Sequence, residues 1–414
     1  MISPESGGLT GRYYLLLTAY VVSNAGTWIY RLTLPLLVLH LTGSALQTAA
    51  LYALEYGPFL LLSLPGGVWA DRFDRKRLLI AGDAAAAVIA LALAVTVSLG
   101  AAALPAIYVL AFTLACVEPV YHPAFQGLLP DTVAAPDLDR ANALMQSSDN
   151  ILSLAGPVLA GGLVALVGYQ PAIYVDAASF AASAVVIVFL RVSAKHRTAA
   201  TAAKPSFRGD LAEAFRYIGR ENKTLLIGSL LFTGTNFGIW LIQANLVYYL
   251  TSYAGLSATL IGVVFAAQGV GALGGALVAP RVIRRLGNGR TIVFSTMSAG
   301  LLTALLAVFR DVVGISAVSA VVFALGSMNV VSWFTLRQRI VPQALLGRVV
   351  AATRMLAFSS IPLAAIVAGG IEDALHNMYL VIVIAAALRF LVGLAASRTA
   401  MAAKQPSVQG AAAT

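Results

Sequence analysis

Eight ionisable side chains stand inside long apolar stretches of this 414-residue chain: Arg31, Glu55, Asp83, Glu118, Asp149, Asp176, Arg354 and Arg389. A charge in apolar surroundings costs several kcal/mol unless it is paired, carries a proton or faces a wet cavity, so such groups are functional candidates. Arg31 lies ten residues before the end of one stretch and Glu55 nine residues into the next. On antiparallel helices both sit about 14–15 Å deep, which predicts an Arg31–Glu55 ion pair. That pair either fixes helix register or exchanges the arginine for a proton during a working cycle. Glu118 and Asp149 fall about 10–12 Å from the opposite boundary. Two neighbouring carboxylates in a low-dielectric region hold one proton more readily than two charges, the condition a proton carrier needs; static salt bridges or helix-packing hydrogen bonds are the alternative. Arg354 has a similar depth and is placed to neutralise one of them or to meet an anionic substrate group. Asp83 is expected to partner the basic cluster Arg72–Arg77, Asp176 to hydrogen-bond locally, and Arg389 to snorkel to the interface. No two of the four histidines have ligand spacing and Cys116 is alone, so neither a metal site nor any other cofactor is expected. No nucleophile–base pair appears, which argues against an enzyme.

The elements that must hold these groups are dictated by composition. Residues of the set AVILMFWYC make up 59% of the chain and charged residues 11%, against about 45–50% and 25% in soluble domains. Too few charges remain to coat a soluble surface, so the chain is an integral membrane protein. Twelve runs reach the roughly 20 residues that a spanning helix needs: 13–41, 46–69, 77–99, 104–126, 141–166, 170–192, 223–250, 257–280, 290–309, 312–335, 346–370 and 376–397. With both termini cytoplasmic, the segments on that face hold 23 of the 27 Lys and Arg, Arg310 lies outside, and Arg31, Arg354 and Arg389 are within runs. That is the positive-inside pattern. The net charge of +10 therefore signals orientation rather than nucleic-acid binding. Domain boundaries follow: a six-helix bundle over 1–192, a cytoplasmic linker over 193–222 with an amphipathic segment at 207–218, a second bundle over 223–397, and a tail from 398 to 414.

The two halves align at a constant offset of 208 residues. It lays Gly66-Gly67 on Gly274-Gly275, Lys76-Arg77 on Arg284-Arg285, Arg140 on Arg348, and Gly161-Gly162 on Gly369-Gly370, as a parallel duplication does. After the second run the chain reads Gly66-Gly67-Val68-Trp69-Ala70-Asp71-Arg72-Phe73-Asp74-Arg75-Lys76. Gly67, Asp71, Arg72, Arg75 and Lys76 resemble the signature of the major facilitator superfamily, with Asp74 departing where the pattern prefers Gly. Pro123 to Asp131, Arg140 to Leu144 and Asp176 to Phe180 extend the resemblance to the bacterial exporter branch of macrolide-efflux and enterobactin-exporter type. The resemblance implies a fold of two pseudo-symmetric six-helix bundles and a cytoplasmic latch built by Gly67, Asp71, Arg72, Arg75, Lys76 and Asp83. Ala279 and Ile283 stand opposite Asp71 and Arg75 in the second copy, so gating chemistry is expected to be asymmetric. Gly156-Pro157 followed by Gly161 resembles an antiporter signature, with Ala160 for one Gly; close helix packing is the alternative reading.

The resemblance puts runs one, four, seven and ten around a central cavity. Their candidate lining residues are Asn24, Trp28, Tyr30, Tyr121, Asn236, Trp240, Gln243, Met328, Asn329 and Phe334. Aromatic and Met surfaces adapt to varied shapes and amides supply donors and acceptors, a mixture suited to small amphipathic compounds. The expected function is proton-coupled export of drug-like or siderophore-like molecules by alternating access, across a bacterial inner membrane, by a monomer whose partners are substrate, protons and lipids. A lysophospholipid transporter and a non-transporting receptor-like protein are the alternatives.

Overall fold

The computed structural model describes residues 9–99, 103–134, 137–191, 207–399 and 401, and among them every regular element is helical. The first three helices show how the sequence sets their ends. Helix α1 (Gly11–Thr42) starts at Thr10, whose side chain accepts from the Tyr13 amide, and stops at Gly43 with φ of 65°. Helix α2 (Ala45–Arg72) is capped by Ser44. Helix α3 (Arg75–Val97) is capped by Asp74, which accepts from the Arg77 amide. The aspartate that departs from the family signature therefore satisfies the orphan donors that open a helix.

The fourth apolar run lies within one span, Leu104–Asp131, whose helix is interrupted by a turn at 116–117. It breaks into α4 (Leu104–Ala115) and α5 (Glu118–Leu128). Pro119, in the first turn of α5, has no amide to give and disfavours helical geometry in the residue before it. Glu118 thus opens a new helix in mid-run. Helices α6 (Leu138–Val167) and α7 (Tyr169–Phe189) follow, then the short α8 (Phe207–Arg216).

Beyond it come α9 (Lys223–Gln243), a turn of helix α10 (Leu246–Tyr248), α11 (Ala258–Leu286), α12 (Asn288–Ala304), α13 (Val312–Ile340), α14 (Gln343–Leu375) and α15 (Met378–Ser397). Among the described residues, ten helical stretches are long and apolar enough to cross a membrane, the first being Arg75–Val97. Helices α1 and α2, of 32 and 28 residues, precede them and carry Arg31 and Glu55. The chain is a multi-pass, all-helical membrane protein. Helix α13 runs five residues past the predicted limit of 335, which brings Arg337 into its last turn.

The chain forms two compact units, one from Met1–Ala200 with Gly255–Ala266 and the other from Thr201–Ala254 with Ala267–Thr414. In the first, α1 lies against α7 and α6, α2 against α5 and α4, and α3 against α7. Two apolar clusters hold it: one around Leu34, Leu51, Leu93, Ile107 and Ile173, the other around Tyr13, Leu79, Phe125 and Ile187. Arg31, Glu55, Asp83, Glu118 and Asp149 lie on α1, α2, α3, α5 and α6 respectively. In the second unit α12 packs on α13 and α15, and α9 on α14 and α15.

Candidate functional site: an acidic cavity in the first unit

A cavity of about 460 Å³ opens among α1 to α7. Four carboxylates line it, Glu55, Asp83, Glu118 and Asp149, against one arginine, Arg31. Trp28, Tyr20, Tyr56, Phe59 and Tyr121 supply aromatic wall, and Asn24, Gln146 and Asn150 supply amides. The size falls within the range of drug-sized pockets, roughly 300–1,000 Å³.

The ion pair differs from the sequence expectation. Arg31 Nη2 lies 3.3 Å from Glu118 Oε2, so the carboxylate at contact distance is Glu118 rather than Glu55. Glu118, in the first turn of α5, meets Arg31 of α1 on the cavity wall. Glu55 shares the cavity wall and acts on Arg31 electrostatically. Arg31 also stands over the Trp28 ring, 5.9 Å from its centroid. Its side chain and that of Glu118 are 41% and 47% exposed, so both reach the open space.

Asp149 accepts a 2.6 Å hydrogen bond from the Tyr20 hydroxyl, which ties α6 to α1. Asp83 is not a partner of the basic cluster. It is buried and accepts from Ser183 at 2.6 Å and Tyr121 at 3.2 Å. Two turns of α3 separate it from Arg77, and its side chain points into the bundle toward α7. Asp176 corrects a second expectation: it is fully buried and, among the described residues, neither carboxylate oxygen has a hydrogen-bond partner. Its backbone carbonyl accepts from the Ser179 hydroxyl.

The signature residues close the lower end of this unit. Arg75 Nη1 donates to the Gly127 carbonyl at 2.7 Å, and Lys76 Nζ to the Val188 carbonyl at 2.8 Å. Both carbonyls belong to helix C-terminal turns, where a cation meets orphan acceptors and the negative dipole end. A Cβ on Gly127 would stand 2.5 Å from Arg75 Nε, so the glycine makes the seat for this guanidinium. Arg72 is exposed; the side chains of Gly67 and Asp71 lie outside the described residues. The neighbouring Gly66 brings α2 onto α5: a Cβ there would meet the Pro119 carbonyl carbon at 2.9 Å and Val120 Cα at 3.1 Å. In the antiporter-like segment, Gly156 accommodates the Trp28 side chain, while Gly161 and Pro157 receive the first turns of α11 at Ala258, Thr259 and Gly262.

Among the predicted lining residues, Asn24, Trp28, Tyr30 and Tyr121 are on the cavity wall. The second unit uses its candidates otherwise. Asn236 donates to the Ala357 carbonyl and Ser360, and Asn329 to Thr296. Gln243 pairs with Gln268. Met328 is buried, Trp240 is half-buried and Phe334 is exposed. Arg354 is exposed with its guanidinium over Phe358. Arg389 does not snorkel: it is 2% exposed and donates to Thr303 at 2.8 Å. Sequence reasoning missed Tyr20, Ser183 and Arg337. The first two meet their carboxylates across helices, a contact that the sequence does not announce.

Residues 16–365 match the family model of the Major Facilitator Superfamily. The multidrug efflux pump Tap of Mycobacterium tuberculosis is 27% identical over 381 residues, spanning 89% of this chain and 90% of that one. An uncharacterized MFS-type transporter of Bacillus subtilis, YfiS, is 28% identical over 313 residues, 75% of this chain and 73% of that one. Among solved structures, the nucleoside transporter NupG superposes with a TM-score of 0.77 at 14% identity, covering 96% of this chain and 100% of that one. A bacterial homologue of the iron transporter ferroportin, in an inward-facing state, reaches 0.70 at 19% identity, covering 95% and 100%. At these identities the two structures are alike in fold alone.

Proposed function

We propose that this chain, which belongs to the Major Facilitator Superfamily, is a secondary active exporter of small amphipathic compounds that carry positive charge. It is a transporter and not an enzyme, as its family and its efflux-pump relative establish. One observation carries the substrate class: the 460 Å³ cavity is walled by four carboxylates, one arginine and seven Phe, Tyr and Trp rings. An organic cation gains from the carboxylates and from the ring faces alike, whereas an anion meets a wall of its own sign. The exporting direction is supported by the relationship to a multidrug efflux pump. Alternating access supplies the cycle, with substrate and proton favouring different states. Proton antiport through Glu55, Glu118 or Asp149 is supported by their shared cavity, in which a proton and a cation compete for one set of carboxylates. Twelve spans, cytoplasmic termini and residence in a bacterial inner membrane as a monomer complete the reading; the clustering of Lys and Arg on alternate loops supports the orientation.

Purified protein in liposomes with an imposed pH gradient tests it. A fluorescent amphipathic cation is expected to move against its own gradient while protons run the other way. Flux indifferent to the pH gradient refutes antiport. Coupling that survives in the Glu55→Gln, Glu118→Gln, Asp149→Asn triple variant removes these carboxylates from the mechanism.

A further inference from the structure

One carboxyl of the first unit lies off the cavity wall, on the seam between α1 and α7. Asp176 of α7 is fully buried, and almost none of the surface of either side-chain oxygen is open to water. Gly26 sets how close the seam is: a Cβ there would collide with Ser179 Oγ and stand 2.8 Å from Asp176 Oδ1. The carboxyl therefore abuts the backbone of α1. Its neighbours on α7, Ile173 and Ala177, share an apolar cluster with Tyr30, Leu34 and Leu37 of α1. The Tyr30 hydroxyl, one turn beyond Gly26, is also buried without a hydrogen-bond partner.

The charged and titratable groups on the helices packed against α7 are engaged elsewhere. On α1, Arg31 acts on Asp176 electrostatically, but its contact is with Glu118 at 3.3 Å; His40 stacks on Tyr169. On α3, Asp83 accepts from Ser183 and Tyr121, while Arg75 and Lys76 donate to carbonyls at the lower end of the unit. On α6, Asp149 accepts from Tyr20. Among the described residues no donor and no cation meets the Asp176 carboxyl. An ionised carboxylate without water, donor or cation in contact is among the costliest states a buried side chain can hold. One proton removes the charge and leaves a neutral polar group, whose burial costs far less.

We propose that Asp176 is a proton-binding site of the first unit, neutral while α1 and α7 are packed together and ionised only when that seam admits water. The step is a proton transfer alone: a proton from water joins one Oδ as the seam closes and returns to water as it opens. Separation of α1 from α7 is then a proton-releasing movement. The site rests on its burial and its packing, and not on the export reading above.

Infrared spectroscopy of the purified full chain at about pH 7 tests it, with Asp176→Asn as the comparison, a side chain shaped like the neutral carboxyl that does not titrate. The carbonyl band of a protonated aspartic acid is expected in the unmutated protein and is expected to be lost in the variant. Identical spectra overturn the proposal. Thermal unfolding gives a second readout. The native carboxyl keeps a proton that the unfolded chain has released, so stability falls as pH rises between about 6 and 8, by up to tenfold in the folding constant per pH unit. The Asn variant lacks that part of the slope; equal slopes overturn the site. Should Asp176→Asn not fold, Asp83→Asn removes the other aspartate that is buried among the described residues. The protonated-aspartate band is expected to persist there, and its absence overturns the proposal. Neither readout involves transport, so failure of antiport through the cavity and failure of this site are told apart.

Discussion

Removing Arg31 is expected to tighten the binding of an amphipathic cation, removing Glu118 to weaken it, and removing both to restore it. The formal charge of the cavity wall is four carboxylates against one guanidinium, or −3. Arg31→Met makes it −4, Glu118→Gln makes it −2, and the double variant returns it to −3. A unit charge about 8 Å from a bound cation is worth about 2 kcal/mol at an effective dielectric of 20 and about 0.5 kcal/mol at that of water. The Arg31 and Glu118 side chains are 41% and 47% exposed, which places the site toward the wet limit. The working figure is then about 0.5–1 kcal/mol, roughly a two- to fivefold change in Kd for each single variant. Loss of Arg31 also uncovers the Trp28 face, now 5.9 Å beneath its guanidinium, and that acts in the same direction. The assay is fluorescence titration of a monovalent amphipathic dye on purified protein, with thermal unfolding to show that each variant folds. A weaker Kd in Arg31→Met refutes the electrostatic account of the cavity, because it would make the arginine a substrate ligand. A double variant that behaves as the sum of two losses refutes the charge-balance argument even if each single change has the expected sign.

Three further outcomes follow from the packing. Gly66→Ala is expected to lower thermal stability by about 1–3 kcal/mol, since its Cβ would press on the Pro119 and Val120 backbone; Gly162→Ala, with nothing within 4 Å, is the control and should unfold like wild type in the same scan. Asp83→Ala strands the Ser183 and Tyr121 hydroxyls and is expected to cost about 1–3 kcal/mol, whereas Arg77→Ala should cost less than about 0.5 kcal/mol; equal effects in a denaturation series would return Asp83 to the basic cluster. Gly127→Ala should expel Arg75 from the α5 carbonyl it caps, slowing flux in liposomes more than it changes dye affinity; an equal fall in both points to a collapsed bundle instead.

The sequence carried the class, the elements and most of the polar inventory. Apolar excess with few charges excludes a soluble core, and helices follow because lipid offers the backbone no other partners. Intramembrane charges announce themselves by their cost, so Arg31, Glu55, Glu118 and Asp149 were legible before any coordinates. The Asp74 cap has a local cause, a helix-starting side chain, that the sequence reading took only as a departure from the signature.

What the sequence left open is which charge meets which. Counting residues gives depth along a helix but not the azimuth around it, so level alone matches Arg31 to Glu55, while the bundle brings Glu118 to it. The same missing angle hid Asp83 behind Ser183 and Tyr121, and it set Arg389 on Thr303 rather than at the interface. Arg337 was lost for a different reason: it lies past the last apolar residues of its run, and only the packing of α13 against its neighbours decides that a helix end is buried. Depth is a property of the chain; direction is a property of the bundle, because only neighbouring helices fix how far each one is rotated.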